Sequence, residues 1–156
     1  MIFKKQNLTT TVLSVIILSI VSIGVISFFV YQKRLIGFIF IGLGALHLLV
    51  LKILNDGLKT VWPDIVFGIT DNGLLVIGAI IGADFGGILG AIIGASAANA
   101  ITDGFAGLFE GWTADYLRKN EIIEKRTALN SALGKMAGCF FGAGFILIIA
   151  WTIFSL

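Results

Sequence analysis

Three polar side chains interrupt an otherwise hydrocarbon stretch, ASAANAITDGFAGLFEGWTADYLRKN (95–120): Asn99, Asp103 and Glu110. Spacings of four and seven residues put all three on one helical face, with Ala106 between them. Asp71 adds a further carboxyl on an earlier segment and shares a face with Gly78 and Gly82, which brings it against a neighbouring helix. A charged side chain at mid-bilayer costs about 2.5–3.5 kcal/mol on insertion scales, so such groups turn toward protein or water. Three kinds of chemistry fit. Hard oxygen ligands suit a divalent cation, a row of carboxyls can relay protons, and a hydrogen-bonded polar cluster can lock helix packing.

Depth separates the four residues. Asp103 lies nine residues before Trp112, a rise of about 14 Å along a helix and hence near the middle of a bilayer. Glu110 falls near an interface, where its stem can carry the carboxylate out to water. Asp71 sits some way in from Trp62, while Asp84 and Asp115 have ordinary surface readings.

The elements that must position these groups are membrane helices. The chain has 156 residues, 58% of them hydrophobic and only 13% charged, with a mean hydropathy of +1.04. A soluble domain of that size could not shield so much apolar surface. Long continuous apolar runs argue for helices over a barrel. The expected class is therefore all-α and multi-span. Five apolar segments are read, at 8–30, 35–51, 65–83, 88–112 and 136–154, each near the roughly 20 residues that cross a bilayer core. The first is too long for the apolar part of a signal peptide and is read as a retained span.

Lysine and arginine set the orientation. With the N-terminus inside, Lys4, Lys5, Lys52, Lys59, Arg118, Lys119, Lys125, Arg126 and Lys135 are all internal, and only Lys33 and Arg34 are external. That bias places the N-terminus in and the C-terminus out; the expected location is the inner (plasma) membrane. Trp62 and Trp112 then mark inner boundaries, and Tyr31 and Trp151 outer ones.

Glycine rows spaced by four allow close backbone approach. Gly78 and Gly82, Gly90 and Gly94, and Gly134, Gly138 and Gly142 predict a three-span core over 63–156, with 1–62 as a peripheral two-span hairpin. The same rows could serve a homodimer seam. A short amphipathic helix is expected at 116–130, carrying a Glu121–Lys125 pair. His47 reads as an interhelical hydrogen bonder, and Met136 and Cys139 as packing. The net charge of +2 comes without a basic cluster, which excludes nucleic acid as a partner. No Ser-His-Asp set, Gly-Lys-Thr loop, cysteine pair or HExxH occurs; neither an enzyme nor a resident cofactor is expected.

FGITDNGLLVIGAIIGA (67–83) followed by ANAITDGFAGLFEG (98–111) resembles the first two spans of the vacuolar iron transporter family. Asp71 corresponds to the aspartate of that family's opening Asp-Gly pair, with Asn72 inserted before Gly73. Asn99, Asp103, Gly104 and Phe105 correspond to its Ala-Asn-x-x-x-Asp-Gly-Phe pattern, and the stretch from Thr127 resembles its third span. The resemblance covers about residues 64–150. It implies membrane transport of Fe²⁺ or Mn²⁺ as cargo, by proton exchange, in a homodimer, with Asp71, Asn99, Asp103 and Glu110 along the ion path. The departures are specific. Ala106 or Gly107 stands where the family has a methionine, Glu110 falls one residue early, and the glutamate-rich cytoplasmic helices are missing. The alternative expectation is a non-transporting accessory subunit of a membrane complex, in which the carboxyls pin helix packing.

Overall fold

The computed structural model describes residues 8–55, 58–120 and 127–153. Lys4, Lys5, Lys125, Arg126, the Glu121–Lys125 pair, residues 121–126 of the expected amphipathic helix and Phe154 lie outside the described residues, as does the side chain of Lys59. Everything regular among the described residues is helical. The order is α1 (Leu8–Phe29), α2 (Lys33–Asn55), a short 3₁₀ turn, α3 (Trp62–Lys119) and α4 (Ala128–Ile148), whose end widens into a π-turn over Ile149–Ile153. All four helices contain stretches long and apolar enough to cross a membrane.

Local chemistry accounts for the ends. Gln32 closes the α1–α2 turn, its carbonyl accepting from the amides of Leu35 and Ile36. Pro63 stands in the first turn of α3, where a missing N–H does no harm, and Asp64 faces that helix's positive end. Thr127 caps α4, its Oγ1 accepting from the Asn130 amide at 3.2 Å.

α3 is not one rod. Its backbone leaves helical geometry at Gly86 and Gly87, and Gly87 has φ +58°, a conformation that L-residues with a Cβ rarely adopt. In a straight helix Gly78 and Gly94 would be about 24 Å apart. Instead a Cβ on Gly78 would lie 2.5 Å from the Gly94 carbonyl oxygen, and one on Gly82 would collide with the Gly90 carbonyl. The chain therefore reverses, and the first arm (62–85) lies back to back with the second (88–119). Only glycine permits that spacing.

α4 is the hub. It packs extensively against both α2 and α3, whereas α1 touches α2 and α4 lightly. On one side Gly138 and Gly142 sit on the backbone of Ile65 and Ile69 in the first arm of α3. On the other, a Cβ on Gly144 would lie 2.8 Å from the Gly37 carbonyl oxygen of α2. The second segment is thus a full partner of the last one and not a peripheral element. Its small residues Gly37 and Gly44 let it settle on Ile148 and Phe141. A buried apolar cluster of Leu18, Leu51, Val61, Leu129 and Leu133 closes one end of the bundle.

Candidate functional site

The two arms of α3 carry the carboxyls, and the structure disposes of each differently. Asp71, on the first arm, is 8% exposed. Its Oδ1 accepts a short hydrogen bond from the Thr102 hydroxyl of the second arm. Thr102 belongs to the second arm's inner face, with Gly90, Gly94 and Ala98, each four residues from the next. Its hydroxyl also lies within hydrogen-bonding distance of the carbonyls of Ala98 and Asn99. Asp71 therefore faces the glycine seam and ties the two arms across it.

Asn99, Asp103 and Glu110 lie round the second arm, about a quarter turn from that inner face. Asn99 Nδ2 donates to Asp103 Oδ2 at 2.9 Å, a bond within one helix. Asn99 is half-buried and Asp103 is exposed, among the exposed apolar side chains of Ile101, Phe105 and Leu108. Glu110 reaches back to the hub, where Lys135 Nζ donates to its Oε1 at 2.9 Å. The same ammonium lies 5.1 Å from the centre of the Phe67 ring, so Lys135 touches both arms of α3.

The four sequence-selected residues thus fall into three separate pairings: Asp71 with Thr102, Asp103 with Asn99, and Glu110 with Lys135. Among the described residues no group of three or more His, Cys, Asp or Glu side chains comes close enough to hold a metal ion. Asn99 and Asp103 together offer one short pair of oxygen ligands. A hard divalent cation takes about six, so one copy alone does not enclose such an ion.

Other buried polar groups escaped the sequence reading. Asp64 is 3% exposed and accepts from the Ser131 hydroxyl at 3.1 and 3.2 Å. Asn130, equally buried, donates from Nδ2 to Thr60 Oγ1 at 3.1 Å. These pairs fasten the start of α3 to the start of α4. The Trp-Pro-Asp order signals a helix start, and that local role masks the long-range one. His47, fully buried, differs from the expected interhelical bonder. Its Nδ1 lies 2.8 Å from the Leu43 carbonyl of its own helix, while Nε2 has no hydrogen-bond partner among the described residues. Its ring packs on Phe140 at 5.1 Å between centroids.

The fold and these contacts define an all-helical protein of long apolar helices, with carboxyl groups on both arms of an antiparallel, glycine-packed pair. Comparison with protein-family models, with curated proteins and with solved structures gives no match.

Proposed function

We propose that the chain is an inner-membrane protein crossing the bilayer five times, N-terminus in and C-terminus out, that passes a divalent cation of the Fe²⁺ or Mn²⁺ class along the second arm of α3. The two arms of α3 count as two crossings, because the stretch Trp62–Trp112 holds 51 residues, more than twice what one crossing needs. The observation that carries the reading is the Asn99–Asp103 pair. A carboxylate and a carboxamide stand on the outer side of an apolar arm, nine residues and more before Trp112, and in a bilayer hydrocarbon would be a poor neighbour for either. A second copy facing that arm, in a homodimer, supplies the missing oxygen ligands and turns the exposed face into a sheltered path. The likeness to the vacuolar iron transporter family supports the same residues and the same cargo.

A second reading is an accessory subunit of a membrane complex. It is favoured by Asp71 and Glu110, each already engaged with a neighbouring helix through Thr102 and Lys135. Proteoliposome uptake of Fe²⁺ and Mn²⁺ separates the two. Transport predicts flux in the parent protein that falls to the level of empty vesicles in Asp103→Asn, with Asp84→Asn unaffected. No flux in either removes transport and leaves the accessory role, whereas equal flux in the parent and in Asp103→Asn takes the path away from Asp103.

A further inference from the structure

At the end of the bundle that carries the α1–α2 turn, the structure brings together residues far apart in sequence. A cavity of about 400 Å³ opens between the first turn of α2 and the π-turn that ends α4, lined by Arg34, Leu35, Phe38, Trp151 and Thr152. That size accommodates a small ligand or a lipid headgroup. The tight approach of Gly37 to Gly144 holds the two helices together just below it. The π-turn is a local widening of the kind that often accompanies function; here it contributes Trp151 and Thr152 to the cavity wall. Lys33 Nζ lies 5.0 Å from the centre of the Trp151 ring, which fixes one side of the wall. Among the described residues no carboxylate is paired with Lys33 or Arg34. Arg34 therefore stands in the lining with no carboxylate partner among the described residues, while Lys33 is held over the Trp151 ring.

We propose that this cavity binds the phosphate of an anionic phospholipid. The guanidinium of Arg34 offers a planar pair of donors matched to phosphate oxygens, and the Thr152 hydroxyl can donate a further bond. Leu35 and Phe38 continue the lining with apolar surface, which suits a glycerol backbone and the top of an acyl chain. A free phosphate ion uses the same cations but has no use for those two side chains, and this decides for the lipid. Trp151 supplies an amphipathic ring of the sort that settles at headgroup level. The site is remote in sequence from Asp71, Asn99 and Asp103 and does not depend on cation transport.

The test uses Trp151 as its own reporter. Trp62 and Trp112 are both exposed and are replaced by Phe, and the full chain is reconstituted in phosphatidylcholine bilayers. Quenching of Trp151 by brominated phosphatidylglycerol is then compared with quenching by brominated phosphatidylcholine. The expected preference for the anionic lipid is about fivefold, the contribution of one basic side chain at an anionic surface. Arg34→Ala should bring the ratio to one, Arg34→Lys should retain part of it, and Arg118→Ala, which removes the same charge elsewhere, should leave it unchanged. Circular dichroism checks that each variant stays helical, and Arg34→Lys keeps the test decisive if Arg34→Ala does not fold. A ratio of one in the parent protein overturns the proposal, as does a preference that survives in Arg34→Ala. Relief of the quenching by millimolar inorganic phosphate reassigns the cavity to a soluble anion and overturns the lipid.

Discussion

The two arms of α3 have similar compositions but contrasting surroundings. The first arm lies between α4 on one side and the second arm on the other, and two of its three carboxyls, Asp64 and Asp71, are buried and bonded to other elements of the fold, while Asp84 is exposed near the turn. The second arm is covered by the first along a single face, and its Asp103 is bonded only to a residue of the same helix. A buried carboxyl held across an interface has been committed to structure, because releasing it strands a polar group in a dry place. An exposed carboxyl held within its own helix is committed to nothing beyond that helix. The fold is therefore fastened through the first arm, and the second arm is where an additional partner or a cargo can act.

The largest test of that contrast is steric. Gly90→Val puts a branched side chain where even a single Cβ would collide with the Gly82 carbonyl. Because both neighbours are backbone, the arms must separate, and the loss should exceed the roughly 1–3 kcal/mol typical of an overfilled core. In detergent we expect aggregation or a collapsed melting temperature. Gly104→Val is the control: a Cβ there meets nothing within 4 Å, and only the small change in helix propensity should register. Equal damage by the two substitutions would mean that the arms do not meet along the glycine row.

Next come the carboxyls. Thr102→Val removes the hydroxyl that donates to Asp71 and leaves a buried carboxyl short of a partner, at a cost of about 1–3 kcal/mol. Asn99→Val removes the donor to the exposed Asp103, so thermal stability should change by less than about 1 kcal/mol. If the second substitution proves as damaging as the first in the isolated chain, the Asn99–Asp103 pair also fastens the fold. The turn offers an intermediate case. Gly87→Ala forces a Cβ onto a positive-φ backbone (φ +58°, ψ −137°) that glycine alone adopts readily, for about 1–3 kcal/mol, although open space surrounds it.

What the sequence makes legible follows the range of each interaction. Continuous apolar runs are local, so helices were readable at every expected segment, and the spacing of Asn99, Asp103 and Glu110 gave a shared face. Helical periodicity says which face a residue is on but nothing about the register of one helix against another. Thr102 is the partner of Asp71 across 31 positions, and no local pattern in the sequence marks that pairing. Asp64 is hard to read for a related reason: beside Pro63 it satisfies a helix start, and its link to Ser131 spans 67 positions. The part played by α2 was hidden by bulk. Ile, Leu and Phe dominate its composition, yet Gly37 and Gly44 decide how it docks, and their effect depends on Ile148 and Phe141 being opposite.

The smallest effect belongs to the contact that joins both arms to the hub. Lys135 is bonded to Glu110 on the second arm and stands over Phe67 on the first. Both ends of the ion pair are substantially exposed, at 41% and 62% for the two side chains, so water screens it, and such pairs contribute about 0–1 kcal/mol. Glu110→Gln should then shift the melting temperature slightly, and the shift should shrink further as salt is raised. Lys135→Met separates the two contacts. It keeps an unbranched stem against Phe67 but removes the ammonium, so any loss beyond that of Glu110→Gln measures the cation over the ring, worth about 0.5–1 kcal/mol at an exposed site. A loss of several kcal/mol from Glu110→Gln alone would place this pair in a dry environment. The second arm would then be fastened to α4 as firmly as the first, and the contrast between the arms would fail.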